Sequence, residues 1–190
     1  MVAHWNRGAL GRRVINIYNG PNGDTYLFKL DKRPGEESNM LLLVESGIQF
    51  HTTQQDYENP GSPSPFCSTL RKHLRGLRLE TVQQVGHYDR VVHVVFGSGG
   101  AQRHSLILEL YARGNLLLSN ANYQILSLLR SHEYEKGNVQ VKVGHAYPVT
   151  YATTQTMAAP PPTTTATTTK PSQEGDDNND YENADAIIDP

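Results

Sequence analysis

Short apolar runs separated by turn residues dominate the first 150 residues, and this pattern is typical of antiparallel strands. The runs at residues 14–18 and 25–30 flank a segment from Asn19 to Asp24 that can supply the positive-φ positions of a hairpin loop. The runs at residues 40–45 and 48–52 flank Gly47, which can supply the turn between them in the same way. We therefore predict two hairpins in the first third of the chain.

A second set of apolar runs lies at residues 90–96, 105–111, 116–119 and 125–129, with Gly-rich or Asn-rich turns between them. This set predicts a meander of four strands. Residues 91–96 are apolar on both alternating faces, so we expect the central strands to be covered on both sides. The predicted fold class is α+β, a β-rich antiparallel sandwich with a few flanking helices.

One helix is well marked between these two sets. Ser64 can cap its amino terminus, and Pro65 suits the first helical position. Gly76 is placed to end it. An apolar stripe at i, i+4 and i+8 predicts the buried face: Phe66, Leu70 and Leu74.

The same helix carries basic residues beside its apolar stripe, namely Arg71, Lys72, His73 and Arg75. One interpretation is a solvated face of an amphipathic helix. The functional alternative is contact with nucleic-acid phosphates, which arginine and lysine on a short rigid element can neutralise with little sequence discrimination.

Asp89 and Arg90 form a second candidate site, between a turn-like segment at residues 86–88 and the strand that begins at Val91. The two can form a local ion pair, which contributes little when exposed. Alternatively, the carboxylate can orient the guanidinium toward a phosphate or a base edge. The residues alone leave both interpretations open.

The sequence lacks the usual motifs of catalysis and of metal binding. Gly97–Gly100 has the composition of a phosphate loop but lacks the following Lys-Ser/Thr, so it predicts a hairpin turn. The eight histidines have no metal-ligand spacing, and the one cysteine, Cys67, has no sequence-defined base. We therefore expect no enzyme activity, no catalytic residue, no cofactor and no metal ion.

Charge divides the 190-residue chain, whose net charge is −2. Residues 1–150 hold 16 basic and 12 acidic residues, whereas residues 151–190 hold seven acidic residues and Lys170. The second segment is Thr/Pro-rich and then acidic, so we predict a disordered tail. No apolar run reaches the roughly 20 residues of a membrane helix and no signal peptide is evident. We expect a soluble, cytoplasmic protein without membrane contact, with the nucleus as a second candidate location.

Several segments occur in an order and spacing that resemble the NFACT amino-terminal domain of the NEMF/Caliban family, which includes bacterial fibronectin-binding protein A-like proteins. The resemblance covers Gly11 to Pro148, so the predicted domains are a non-matching start at 1–10, the NFACT domain at 11–150 and the tail at 151–190. The segments that carry the resemblance lie at residues 13–18, 45–53, 70–74, 89–92, 108–111, 114–116, 125–126 and 129–130.

The resemblance implies a role in ribosome-associated quality control. Family members bind large ribosomal subunits blocked by peptidyl-tRNA, recruit tRNA there and support template-free carboxy-terminal tailing of the stalled chain. Eukaryotic members also help the ubiquitin ligase listerin to engage. The family's functional Asp-Arg pair falls on Asp89 and Arg90. The predicted nucleic-acid-binding residues are therefore Asp89, Arg90, Arg71, Lys72 and His73.

The family fold is similar to the amino-terminal domain of formamidopyrimidine-DNA glycosylases, although their proline nucleophile has no counterpart in Met1-Val2-Ala3. The chain also departs from the family pattern. A helical segment with a functional acidic residue normally precedes Arg13, and a helix-hairpin-helix, a coiled coil and a carboxy-terminal RNA-binding domain normally follow. We therefore expect a fragment, a truncated gene model or a reduced paralogue. The alternative function is a non-catalytic protein-interaction domain that has lost RNA binding.

Overall fold

A four-stranded antiparallel sheet forms the first half of the fold. The computed structural model describes residues 5, 8–20, 22–54, 62–85, 90–98, 102–134 and 139–148. Strands β1 (Val14–Asn19), β2 (Thr25–Leu30), β3 (Met40–Glu45) and β4 (Gln49–Thr53) pair in chain order. Gly47 adopts a φ of +74° between β3 and β4. The two predicted hairpins are confirmed, and β2 and β3 join them into one sheet.

A five-stranded antiparallel sheet forms the second half. Its strands are β5 (Arg78–Val85), β6 (Val91–Gly97), β7 (His104–Glu109), β8 (Asn115–Asn120) and β9 (Ile125–Leu128), again paired in chain order. The predicted four-strand meander corresponds to β6–β9, and β5 is an edge strand that the sequence did not predict. Strands β10 (His132–Tyr134) and β11 (Val139–Val141) form a separate pair.

Helix α1 (Pro65–Leu74) has the predicted ends and the predicted buried face. The Ser64 hydroxyl accepts a hydrogen bond from the Cys67 amide at 3.1 Å, and Pro65 occupies the first turn. Gly76 follows with a φ of +83°, a conformation that costs glycine little. The buried side chains of the helix are Phe66, Cys67, Leu70 and Leu74.

The main hydrophobic core lies between the two sheets and α1. Phe28 of β2 stacks on Phe96 of β6, with ring centroids 6.0 Å apart and an interplanar angle of 10°. Trp5 and Ala9 also belong to this core, and the Ala9 amide donates to the Trp5 carbonyl at 2.8 Å. Residues ahead of the predicted domain start are therefore packed into the same core.

The opposite face of the five-stranded sheet is also covered. Val91, Ile107 and Leu117 pack there against Val141 and Tyr147 in a second buried cluster. This confirms that the central strands are apolar on both faces because both are buried. The described part of the chain is thus mostly antiparallel β-sheet, with α1 as a short helix between the two sheets in sequence. No helix in the described ranges is long and apolar enough to cross a lipid bilayer.

A short antiparallel pairing links the two halves of the fold. The Val14 amide donates to the Leu77 carbonyl at 2.9 Å, and the Leu79 amide donates to the Arg12 carbonyl at 2.8 Å. Arg13 and Arg78 face each other as a bridge pair within this segment. The pairing fixes the position of α1, whose carboxyl end lies next to it.

Candidate nucleic-acid interface

Arg90 is exposed and stands immediately before β6. Its carbonyl accepts a hydrogen bond from the Leu110 amide at 2.7 Å, so the sheet fixes its backbone while its side chain faces solvent. Asp89 lies outside the described residues, and the Asp89-Arg90 pairing stays a prediction. A guanidinium on a fixed backbone next to a strand can contact a phosphate or a base edge.

The sheet end that holds Arg90 also contains a pocket. Val91 pairs with Glu109 of β7, and Glu109 pairs with Asn115 of β8. The pocket has a volume of about 520 Å³. Its lining includes Glu109, Tyr111, Arg113, Asn115, Arg130 and His132.

Glu109 is a buried carboxylate in this pocket wall, with only 2% of its surface exposed. The Tyr147 hydroxyl donates to its Oε1 at 3.0 Å, and the His132 Nε2 lies 4.0 Å from its Oε2. A buried carboxylate requires such partners, because it has lost its hydration. Sequence reasoning missed Glu109 as a site residue, although a charged residue at the end of an apolar strand was a usable signal.

Asn115 holds the segment that follows β9 against the pocket. Its Nδ2 donates to the Arg130 carbonyl at 2.8 Å, and its Oδ1 accepts from the Arg130 amide at 3.1 Å. The Oδ1 also accepts from the Leu116 amide at 3.0 Å. Asn115 is only 1% exposed, and its side-chain amide uses both its donor and its acceptor groups, so it fixes the position of Arg130.

The Arg130 side chain extends from the five-stranded sheet to the four-stranded sheet. It donates to the Asp24 carboxylate at 2.6 Å, to the Ser46 hydroxyl at 3.0 Å and to the Gly114 carbonyl at 3.2 Å. Gly114 lies so close to Gly47 that an added Cβ at Gly114 would be 2.1 Å from the Gly47 Cα. The geometry of this sheet end therefore depends on both halves of the fold.

The predicted basic residues of α1 differ in their surroundings. Arg71 is half-buried, and its Nε donates to the Ile17 carbonyl at 2.5 Å while its guanidinium lies 5.6 Å from the Tyr18 ring centroid. Arg71 thus attaches the helix to β1. Lys72 is exposed, whereas His73 is half-buried.

His73 and His104 of β7 form a close pair, with 3.2 Å between His73 Nδ1 and His104 Nε2. Burial lowers the pKa of His73 from its ordinary value of 6.5, and the Lys72 charge adds to this effect. Burial also lowers the pKa of His104, and so does His73, against the opposing effect of a backbone hydrogen bond at Gln102. The neutral forms of both rings are therefore favoured in the folded protein.

The structure does not bring all of the predicted site residues together. Arg90 lies at the start of β6, just before Val91. His73 lies at the other end of this strand, because it contacts His104, which pairs with Phe96. This separation along the strand is roughly 20 Å, at about 3.3 Å per residue. Arg90 and the carboxyl end of α1 are consequently two separate positively charged regions.

Three exposed arginines accompany Lys72 at the carboxyl end of α1. Arg75 donates through Nε to the Ile15 carbonyl at 3.2 Å, Arg13 donates to the Gly76 carbonyl at 2.8 Å, and Arg78 donates to the Gly11 carbonyl at 2.8 Å. We call Arg13, Lys72, Arg75 and Arg78 the basic edge. Arg13 and Arg78 were not predicted as site residues, because their proximity arises from a pairing between distant segments.

The described residues give little support to a nucleophilic cysteine or to a metal site. Cys67 is fully buried, its Sγ donates to the Ile17 carbonyl at 3.4 Å, and burial raises the pKa of its thiol. A buried thiol with a raised pKa is a poor nucleophile. Within the described ranges, no three side chains of His, Cys, Asp or Glu converge on a possible metal site.

The structure thus defines the class of protein. It is a β-rich domain of two stacked antiparallel sheets, with exposed cations at two separate places. Residues 1–180 match the family model for the NFACT N-terminal and middle domains, and the chain belongs to this family. The resemblance found in the sequence is confirmed.

Two animal relatives are similar to this chain over most of its length. The chain is 41% identical over 152 residues to the ribosome quality control complex subunit NEMF of Mus musculus, an alignment that covers 80% of the chain and 14% of that relative. It is 43% identical over 147 residues to the NEMF homolog of Drosophila melanogaster, covering 77% of the chain and 14% of that relative.

A bacterial relative and a solved structure extend the comparison. The Rqc2 homolog RqcH of Bacillus subtilis is 28% identical over 131 residues, covering 66% of the chain and 23% of RqcH. The N-terminal part of the fibronectin/fibrinogen-binding protein from Streptococcus suis is similar in fold, with a TM-score of 0.66 at 21% identity over 77% of this chain and 57% of that one. The chain thus spans less than a quarter of the length of the three relatives compared by sequence.

Proposed function

We propose that this domain acts in ribosome-associated quality control by binding tRNA and the large ribosomal subunit that carries a stalled peptidyl-tRNA. Membership of the NFACT family carries the proposal, because its relatives in mouse and fly are named as ribosome quality control subunits. The proposal includes support for template-free tailing and a cytoplasmic location. We also propose that the fold is similar to the amino-terminal domain of formamidopyrimidine-DNA glycosylases, without their chemistry, and that the chain has no enzyme activity of its own.

The exposed guanidinium of Arg90 supports the tRNA-binding part of the proposal. Its backbone is held by Leu110, so the side chain starts from a fixed point and loses less freedom on binding. The orientation of Arg90 by Asp89 is part of the same proposal. Lys72 lies too far along the sheet to contact the same phosphate as Arg90, since about 20 Å spans several phosphates of an RNA strand.

Co-sedimentation with purified large ribosomal subunits that carry peptidyl-tRNA tests this proposal. We expect the wild-type chain to sediment with them and Arg90→Ala to do so weakly. Arg103→Ala is the matched control, because Arg103 is an exposed arginine 2.7 Å from Glu80 at the opposite end of the sheet. Failure of the wild-type chain to bind, together with recovery of a protein partner, would instead favour an interaction domain without RNA contact.

A listerin contact is a further part of the proposal, because the family resemblance implies it. Binding of purified listerin to the wild-type chain, with and without large ribosomal subunits, measures this contact separately from ribosome association.

A further inference from the structure

The basic edge contains two arginines that face each other across an antiparallel bridge, Arg13 and Arg78. Their neighbours along both segments, Val14, Leu77 and Leu79, are buried in the core. Because side chains alternate along extended backbone, the same pairing that buries those apolar residues directs both guanidinium groups to the outside. Both arginine side chains are exposed.

This arrangement places like charges directly opposite each other, which destabilises a pair of strands. In the part of the chain that the structure describes, no carboxylate forms an ion pair with any of the four cations of the basic edge. The Asp31 carboxylate accepts from the Arg13 amide at 2.7 Å and so interacts with its backbone. Among the described residues, the repulsion between Arg13 and Arg78 is therefore not offset by a direct ion pair, and a bound anion would relieve it.

The three guanidinium groups are also held in place before any ligand arrives. Each one donates a hydrogen bond to a backbone carbonyl, at Gly76, Ile15 or Gly11. A guanidinium has five N–H donors, so one such bond fixes its position and leaves others for a phosphate. Lys72 precedes Arg75 by three residues and thus lies on the same side of α1.

We propose that the basic edge binds the phosphate backbone of an RNA duplex and that this site is separate from the Arg90 site. The proposal rests on the proposed RNA-binding function and extends it to a second RNA segment. Arg78 pairs with Gly97, whereas Val85 pairs with Val91 beside Arg90, so the two sites lie at opposite ends of the β5–β6 pair. A duplex presents phosphates in rows, and arginine forks bind them with little regard to sequence. One domain would thereby contact two RNA segments at once.

Binding of a blunt RNA duplex without loops, and of tRNA in parallel, tests the proposal with the full chain. We expect Arg13→Gln/Arg78→Gln to weaken duplex binding by at least about tenfold and to reduce the slope of log affinity against log salt by about 2, one for each lost phosphate contact. Lys72→Gln/Arg75→Gln should give the same loss. Lys142→Gln removes an exposed charge elsewhere and should leave duplex binding unchanged.

The separate sites predict opposite losses. Arg90→Ala should weaken tRNA binding about tenfold and leave duplex binding unchanged, and the wild-type chain should bind both RNAs together. Equal duplex binding by wild type and Arg13→Gln/Arg78→Gln would overturn the proposal, and so would no duplex binding by a chain that still binds tRNA. Duplex binding that depends on Arg13 and Arg78, in a chain whose tRNA binding is unaffected by Arg90→Ala, would support the basic edge and count against the proposed Arg90 site alone. Binding of a poly-glutamate peptide in place of both RNAs would overturn the RNA assignment.

Discussion

The Arg130 guanidinium donates to the Asp24 carboxylate over 2.6 Å, and this ion pair joins the end of the five-stranded sheet to the start of β2. Its side chains are partly exposed, at 31% for Arg130 and 41% for Asp24, so the ion pair alone stabilises the fold little. Its importance lies in the further bonds of the same guanidinium to Ser46 and Gly114.

Arg130→Met should lower the free energy of unfolding by about 1–3 kcal/mol, because three oxygen acceptors lose a charged donor while the apolar stem is kept. Chemical denaturation measures this change. Arg103→Met is the control, since the ion pair with Glu80 is mostly on the surface and should cost less than about 1 kcal/mol. Equal losses for the two variants would contradict the role of Arg130 in joining the sheets.

Gly114→Ala should destabilise the fold by roughly 3 kcal/mol or more, because the new methyl group would collide with the Gly47 backbone and the φ of +70° disfavours alanine. Gly23→Ala separates the two effects. Its φ is +73° but an added Cβ meets nothing within 4 Å, so we expect a loss of only about 1 kcal/mol. Thermal unfolding of both variants checks the difference, and a mild effect of Gly114→Ala would show that the two turns separate easily.

The His73–His104 pair should make stability fall in mild acid. Burial lowers the pKa of both rings in the folded chain, whereas in the unfolded chain they titrate near 6.5. Below that pH the unfolded chain binds more protons, so the contribution is complete above 6.5 and is lost as the pH falls toward the lowered folded pKa values.

Unfolding measured at pH 7.5 and at pH 5 should therefore show a smaller acid loss for His73→Gln/His104→Gln than for wild type. His93 provides the control, because burial lowers its pKa too while it lies on another face of β6 near Tyr123. The His93→Gln chain should keep the part of the loss that comes from the pair. An unchanged pH profile in the double variant would contradict the account.

The strands and α1 could be predicted because their signals are local. Ser64, Pro65 and Gly76 mark the helix ends within a few residues, and Gly47 marks a turn. Strand β5 was missed because it is an edge strand with a polar outer face, so its sequence from Arg78 to Val85 lacks a continuous apolar run.

The arrangement of the site could not be predicted in the same way. Glu109 and Tyr147 are 38 residues apart in sequence and meet only because a second layer covers the sheet. The separation of His73 from Arg90 likewise depends on the end of β7 that α1 contacts. A single sequence contains no local signal for where along β7 this contact lies. The exposure of Arg90 agrees with the interpretation of a binding residue, while its pairing with Asp89 stays a prediction.

The affinity of the chain for tRNA, measured for wild type, Arg90→Ala and Arg103→Ala between 50 and 200 mM salt, tests the central claim most directly. We expect wild-type affinity to fall steeply with salt, Arg90→Ala to bind about tenfold more weakly with a shallower slope, and Arg103→Ala to match wild type. Absence of tRNA binding by the wild-type chain, or identical curves for wild type and Arg90→Ala, would contradict it.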